Sequence, residues 1–137
     1  MSYGTAAALQ EAVYQRLSVD PVLDTLVSGA IYDTLPTGTL PPLYVTLGPE
    51  EARARSDRSG GGAWHRFTVS VIAETAGFHA AKTVAAAVSD ALVDAPLTLS
   101  RGAISGLHFF RARAQREGAG ALRRIDLTFR ARVDDTD

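Results

Sequence analysis

The chain has no cysteine, a single lysine (Lys82) and a single tryptophan (Trp64) in 137 residues. Without thiols there are no disulfides and no thiolate metal ligands, so nothing ties the protein to an oxidising compartment. No apolar run approaches the ~20 residues of a membrane-spanning helix, and no basic segment leads into an apolar one at the N-terminus. The expectation is a protein without a signal peptide, made and kept in the cytoplasm. Motifs that carry chemistry are also scarce. His65, His79 and His108 have no partner at metal-ligand spacing, and no H-E-x-x-H occurs. Ser59 with Gly60 to Gly62 is followed by no Lys-Ser/Thr and opens no helix, so it reads as a flexible tip rather than a phosphate cradle. Gly102 to Gly106 lacks the G-x-S-x-G order of a nucleophile elbow. Glu50 and Glu51 fall in a polar stretch where the positioning that acid–base catalysis needs is hard to maintain. These absences favour a non-enzymatic protein with no metal and no cofactor.

What is present suits one domain, long enough to bury roughly two-thirds of the surface its unfolded chain exposes. The formal net charge of −1 hides an uneven distribution. From Arg101 to Arg132 eight arginines stand against Glu117 and Asp126, and the last four residues hold three aspartates. Thirteen of the fourteen basic residues are arginine. Either a GC-rich genome biases the codons, in keeping with the abundant alanine, or the planar guanidinium serves partner contacts that an ammonium serves less well.

The spacing of apolar residues predicts the elements. Leu9, Val13 and Leu17 form a helical stripe over about Tyr3 to Leu17, with Ser2 or Thr5 as cap. Asp20-Pro21 supplies a cap and a first-turn proline for a short helix, Val22 to Val27, that ends at Gly29. Ile31-Tyr32 reads as a brief strand before the Leu35-Pro36 break. Leu43, Val45 and Leu47 alternate with Tyr44, Thr46 and Gly48, the period of a half-buried strand. Residues 49–62, charged and glycine-rich, read as a mobile loop that neighbouring proteins would order. Next come a strand over Trp64 to Glu74, an alanine-rich helix over Phe78 to Val93, a strand over Ile104 to Gln115, a turn at Gly118 to Gly120, and a strand over Leu122 to Val133. This order predicts an α+β fold: one domain, a mostly antiparallel sheet, helices packed on one side.

On the final strand Ile125, Leu127, Phe129, Ala131 and Val133 face one way, while Arg124, Asp126, Thr128, Arg130 and Arg132 face the other. Arg111 and Arg113 join the second group if the neighbouring strand presents the same side. Three readings stay open: a solvated sheet face, oligomer contacts, or sequence-independent nucleic-acid binding. In the strand over Ile104 to Gln115, Leu107 and Phe109 share parity with Arg111 and Arg113, while Phe110 and Ala112 share the other. Apolar residues on both faces call for a cover on each side.

The order of an N-terminal helix, Ile31-Tyr32, Leu35-Pro36 and Pro42-Leu43-Tyr44-Val45-Thr46-Leu47-Gly48 resembles the tail-completion, or tail-terminator, proteins of long-tailed phages and gene transfer agents. The likeness continues through a polar loop, a Phe67 to Ile72 strand, an alanine-rich helix and an Ile125 to Val133 strand, nearly the whole chain. It implies a structural virion protein: a hexameric ring at the head-proximal end of the tail tube that stops tube polymerisation and joins the tail to the head. The implied partners are further copies of itself, the tail tube protein, a head–tail connector or stopper protein, and duplex DNA passing through the lumen, with no membrane. The implied location is the host cytoplasm during assembly, then the tail of the virion or phage-like particle. Candidate partner or lumen contacts are Glu50, Glu51, Arg53, Arg55, Arg58, Arg111, Arg113, Arg124, Arg130 and Arg132. A domain of this length has a radius of gyration of ~14 Å, and six such spheres in contact leave a central hole about one sphere wide, enough for a duplex. The alternative is a sequence-independent nucleic-acid-binding domain using the arginine-rich hairpin.

Overall fold

The computed structural model describes residues 3–54, 62–75 and 77–135. Helix α1 (Ala6–Ser18) buries Leu9, Val13 and Leu17, the stripe that its spacing predicts. Thr5 precedes it but makes no side-chain cap; its hydroxyl is turned toward His65 instead. Helix α2 (Pro21–Val27) begins as its sequence dictates, with the Asp20 carboxylate accepting from the Leu23 amide at 3.0 Å and proline in the first turn. Ser28 and Gly29 adopt positive φ and turn the chain into β1 (Ile31–Tyr32).

Strand β1 pairs in parallel with β2 (Leu43–Ala54), and every other pairing is antiparallel. With β3 (Gly62–Ala73), β4 (Ala103–Glu117) and β5 (Leu122–Asp134), the sheet has the order β1-β2-β3-β5-β4. Helix α3 (His79–Leu92) links β3 to β4 and packs on β3, β4 and β5, while α1 and α2 pack against it. The α+β expectation is met. Register aligns Val45 with Val71 and Ile125, Val69 with Leu127, and Phe67 with Phe129 on the helix-facing side. Ala81, Ala85 and Ala91 let α3 approach closely, so Val84, Val88 and Leu92 are fully buried. Each such large apolar side chain contributes about 1.5–3 kcal/mol.

Two expectations are corrected. Residues 49–54 are not loop: β2 continues through Ala54, pairing from Glu50 opposite Phe67 to Ala54 opposite Ala63. Apolar content is low there, but backbone pairing with β3 and the opposition of Glu51 and Arg66 extend the strand. A register shift between Leu47 and Glu50 places Pro49, which has no amide donor, where the ladder is interrupted. The remainder of the expected loop, residues 55–61 with Arg55 and Arg58, lies outside the described residues.

The second correction concerns the parity of the β4 arginines; the apolar residues do lie on both faces, Phe110 sitting with Arg66 on the face away from Leu107 and Phe109. A bulge between Phe109 and Arg111 flips the parity of the strand beyond it. Leu107 and Phe109 lie opposite Ala131 and Phe129 on the helix-facing side, whereas Arg111 and Arg113 lie opposite Thr128 and Asp126 on the other. Ala112 and Ala114 then take the core-side places beside Leu127 and Ile125.

Candidate interaction surface

The sheet face away from the helices gathers most of the sequence-predicted residues. Register places Glu51 and Arg53 of β2, Arg111 and Arg113 of β4, and Arg124, Arg130 and Arg132 of β5 on it, together with Trp64, Arg66 and Thr68 of β3. The arginines are organised by aromatic rings. The Arg130 guanidinium lies 4.1 Å above the Trp64 ring centre, with Arg132 at 5.8 Å. Arg66 lies 4.3 Å above Phe110, with Arg111 at 6.0 Å. At exposed sites each close stack contributes about 0.5–1 kcal/mol and restricts the side chain's freedom. The sequence reading marked Phe110 as needing a cover but missed Trp64 and Arg66. Trp64 and Arg66 share the polar parity of β3, opposite Phe67, which is the signal that marks them.

Arg124 is held differently from the rest. Its Nε donates to Asp126 at 2.9 Å, its Nη2 to the Ser70 hydroxyl at 3.3 Å, and Glu117 lies 3.5 Å from Nη1. Ser70 in turn donates to Asp126 at 2.6 Å. Burial disfavours the Arg124 cation, but the Asp126 hydrogen bond and the charges of Asp126 and Glu117 outweigh it, and its pKa is raised. Burial also raises the pKa of nearby Tyr44, against the opposing charge of Arg124. With Asp126 and Glu117 engaged in this way, Arg111 and Arg113 stand exposed with no ion pair among the described residues. They line a cleft with Pro49, Thr68, Arg124 and Thr128. Glu51 and Arg53 are exposed at 3.9 Å from each other, a separation at which a surface pair contributes little.

Glu50 departs from the expected surface. The bulge at Gly48-Pro49 turns it to the helix-facing side, where its carboxylate accepts from the Tyr3 hydroxyl and lies 3.1 Å from His65 Nδ1. Tyr3 stacks on the His65 ring at 6.4 Å, and Thr5 Oγ1 is 3.5 Å from His65 Nε2. Hydroxyl, imidazole and carboxylate thus stand in the order of a nucleophile relay. His65 is 0% and Thr5 2% exposed, so no substrate reaches them, and 3.5 Å is long for a hydrogen bond. The cluster fastens the start of α1 to β2 and β3. The hydrogen bond to Glu50, then its negative charge, then burial, raise the pKa of Tyr3. Among the described residues no group of three His, Asp or Glu is placed to hold a metal ion.

The family model for tail completion protein gp17 matches residues 11–134, from the first turns of α1 to the end of β5. Among solved structures, a chain from the virion of a native gene transfer agent particle superposes with a TM-score of 0.93 at 56% sequence identity, covering 97% of this chain and 99% of that one. The sequence matches no curated protein. The family match spans every element from α1 to β5, including the arginine-bearing face. The chain therefore belongs to the tail completion protein family, structural components of the tails of phage-type particles rather than a class of enzymes.

Proposed function

We propose that the protein forms a closed ring at the head-proximal end of the tail tube, ends tube polymerisation there, and joins the tail to the head connector. The observation that carries this reading is the near-full-length likeness to a chain of a gene transfer agent virion. The fold supports it. The two edges of the sheet differ: β1 is two residues long, β4 fifteen. Unlike edges suit a repeated head-to-tail contact, which closes into a ring where its rotation permits. A ring of six compact domains of this size encloses a hole of roughly 35–40 Å, which admits duplex DNA.

In this reading the arginine face makes protein contacts or brushes passing DNA without holding it, because each firm phosphate contact would add affinity that impedes sliding. Electron cryomicroscopy of intact particles, with quantitative mass spectrometry of the copy number, tests the proposal. One closed ring of this chain between tube and connector is the expected result. A copy number incompatible with one ring, or density elsewhere in the particle, overturns it.

A further inference from the structure

We propose that adjacent subunits meet through opposite charge, the arginine-bearing β4 edge of one copy seated on the acidic α2–β1 edge of a second copy. This rests on the ring reading and gives its contact a chemistry. The strand order puts β1 and β4 at opposite edges of the sheet. Charge divides along the same axis. Residues 1–50 hold one arginine against five acidic residues, one of them the Glu50 engaged by Tyr3 and His65, whereas residues 101–135 hold eight arginines against four acidic residues, of which Asp134 and Asp135 lie beside the start of β4, away from Arg111 and Arg113.

At the acidic edge Asp24 of α2 and Asp33, the residue immediately after β1, are exposed. Arg16, the single cation of that half, is directed elsewhere, donating to the Ala91 carbonyl at 3.0 Å. At the basic edge Arg111 and Arg113 have no acidic partner among the described residues, since Asp126 and Glu117 are engaged by Arg124. Each edge also carries large apolar side chains in the open. Phe109 and Phe110 are 47% and 39% exposed on β4, and Val22 and Leu35 are 57% and 46% exposed beside α2 and β1. Apolar surface next to charge of one sign on one edge thus faces apolar surface next to the opposite sign on the other.

This arrangement decides between contact types. A like-with-like dimer would place arginine against arginine and carboxylate against carboxylate, which repel, whereas a head-to-tail contact matches them. It also decides against a sheet shared between subunits. Register shifts at Ile104/Gly106 and Phe109/Arg111 interrupt the free edge of β4, and β1 is too short to template a strand. The contact is made by side chains.

The absence of native cysteine gives a clean test. Particles carrying Asp33→Cys together with Arg111→Cys are treated with a short bis-maleimide and resolved by denaturing electrophoresis. The expected result is a ladder of linked subunits ending at the ring size, with neither single-cysteine variant giving one. In parallel, Arg111→Glu/Arg113→Glu and Asp24→Arg/Asp33→Arg should each lower the yield of tailed particles roughly tenfold or more, and the combined four-residue variant should recover it. Circular dichroism of each purified variant checks that it folds, and the cross-link does not depend on the charge reversals. No ladder in particles that contain one closed ring, or no recovery in the combined variant, overturns the charge-paired contact and leaves the ring standing. A copy number that excludes a ring overturns the ring reading itself.

Discussion

Gly102 opens the turn into β4 with a φ of +82°, and a Cβ built there would lie 2.6 Å from the Asp134 carbonyl oxygen and 2.8 Å from Thr5 Cγ2. Gly120, in the β4–β5 turn, has a φ of +89° and nothing within 4 Å of the same position. Changing each to alanine separates two costs. Both variants bear the left-handed conformation of an L-residue, about 1–2 kcal/mol. Both also gain the same small benefit from a less flexible unfolded chain, which cancels in the comparison. Gly102→Ala alone must displace a backbone carbonyl that has no rotamer to escape into, an overpacking cost of about 1–3 kcal/mol. The expected losses are ~1–2 kcal/mol for Gly120→Ala and ~2–5 kcal/mol for Gly102→Ala. A domain of this length has a total stability of roughly 7–20 kcal/mol, so both variants should fold. Urea titration monitored by circular dichroism reads the difference. With an m-value of ~1–3 kcal/mol per M, a gap of ~1 kcal/mol separates the midpoints by roughly 0.3–1 M. Equal losses within ~0.5 kcal/mol, the scatter expected of surface substitutions, would refute the close approach of Thr5 and Asp134 to the start of β4.

Phe129 is fully buried between Phe67, with ring centres 5.7 Å apart, and Phe109, edge-on at 6.1 Å. Phe129→Ala should cost about 3–5 kcal/mol by urea titration and speed amide exchange along β4 before it does so in α1; uniform exchange changes would argue against a local role in seating that edge. The Tyr3 phenol is held above its ordinary pKa of 10.0 by the hydrogen bond and charge of Glu50. A neutral acid with a raised folded pKa stabilises fully below its unfolded pKa and loses that contribution as pH rises through the folded one. Wild type should therefore exceed Tyr3→Phe in stability near about pH 8 and lose that advantage as pH rises past the ordinary phenol value of 10.0, and a constant gap would exclude the link. Duplex DNA should bind the purified protein more weakly than micromolar at near-physiological salt. Submicromolar binding that vanishes in Arg124→Ala/Arg130→Ala/Arg132→Ala would promote the nucleic-acid reading over protein contacts.

The fold was legible where local chemistry and tertiary packing agree. Asp20-Pro21 announces α2 because cap and first-turn proline act on the backbone directly. The Leu9-Val13-Leu17 stripe and the alternation from Ile125 to Val133 each match the face they bury. Residues 49–54 misled because strand formation there comes from β3 alongside, not from their own composition, and a charged strand has no local signature. The Thr5–His65–Glu50 contact joins residues up to 60 positions apart through the fold, so the histidine showed no partner in sequence.

The arginine face was half legible, and the bulges explain the other half. An unbroken period of two from Phe109 would set Arg111 opposite Leu127 and Arg113 opposite Ile125, two guanidinium groups beside a buried apolar row. The bulge at Phe110 changes that assignment. It sends Ala112 and Ala114 to the core side and both arginines to the open face. Pro49 signals the corresponding bulge in β2, since proline cannot serve a continuous ladder; nothing local signals the one at Phe110. The same irregularity that aims the arginines also interrupts the free edge of β4, so the charged surface is offered to a neighbour while strand addition is disfavoured.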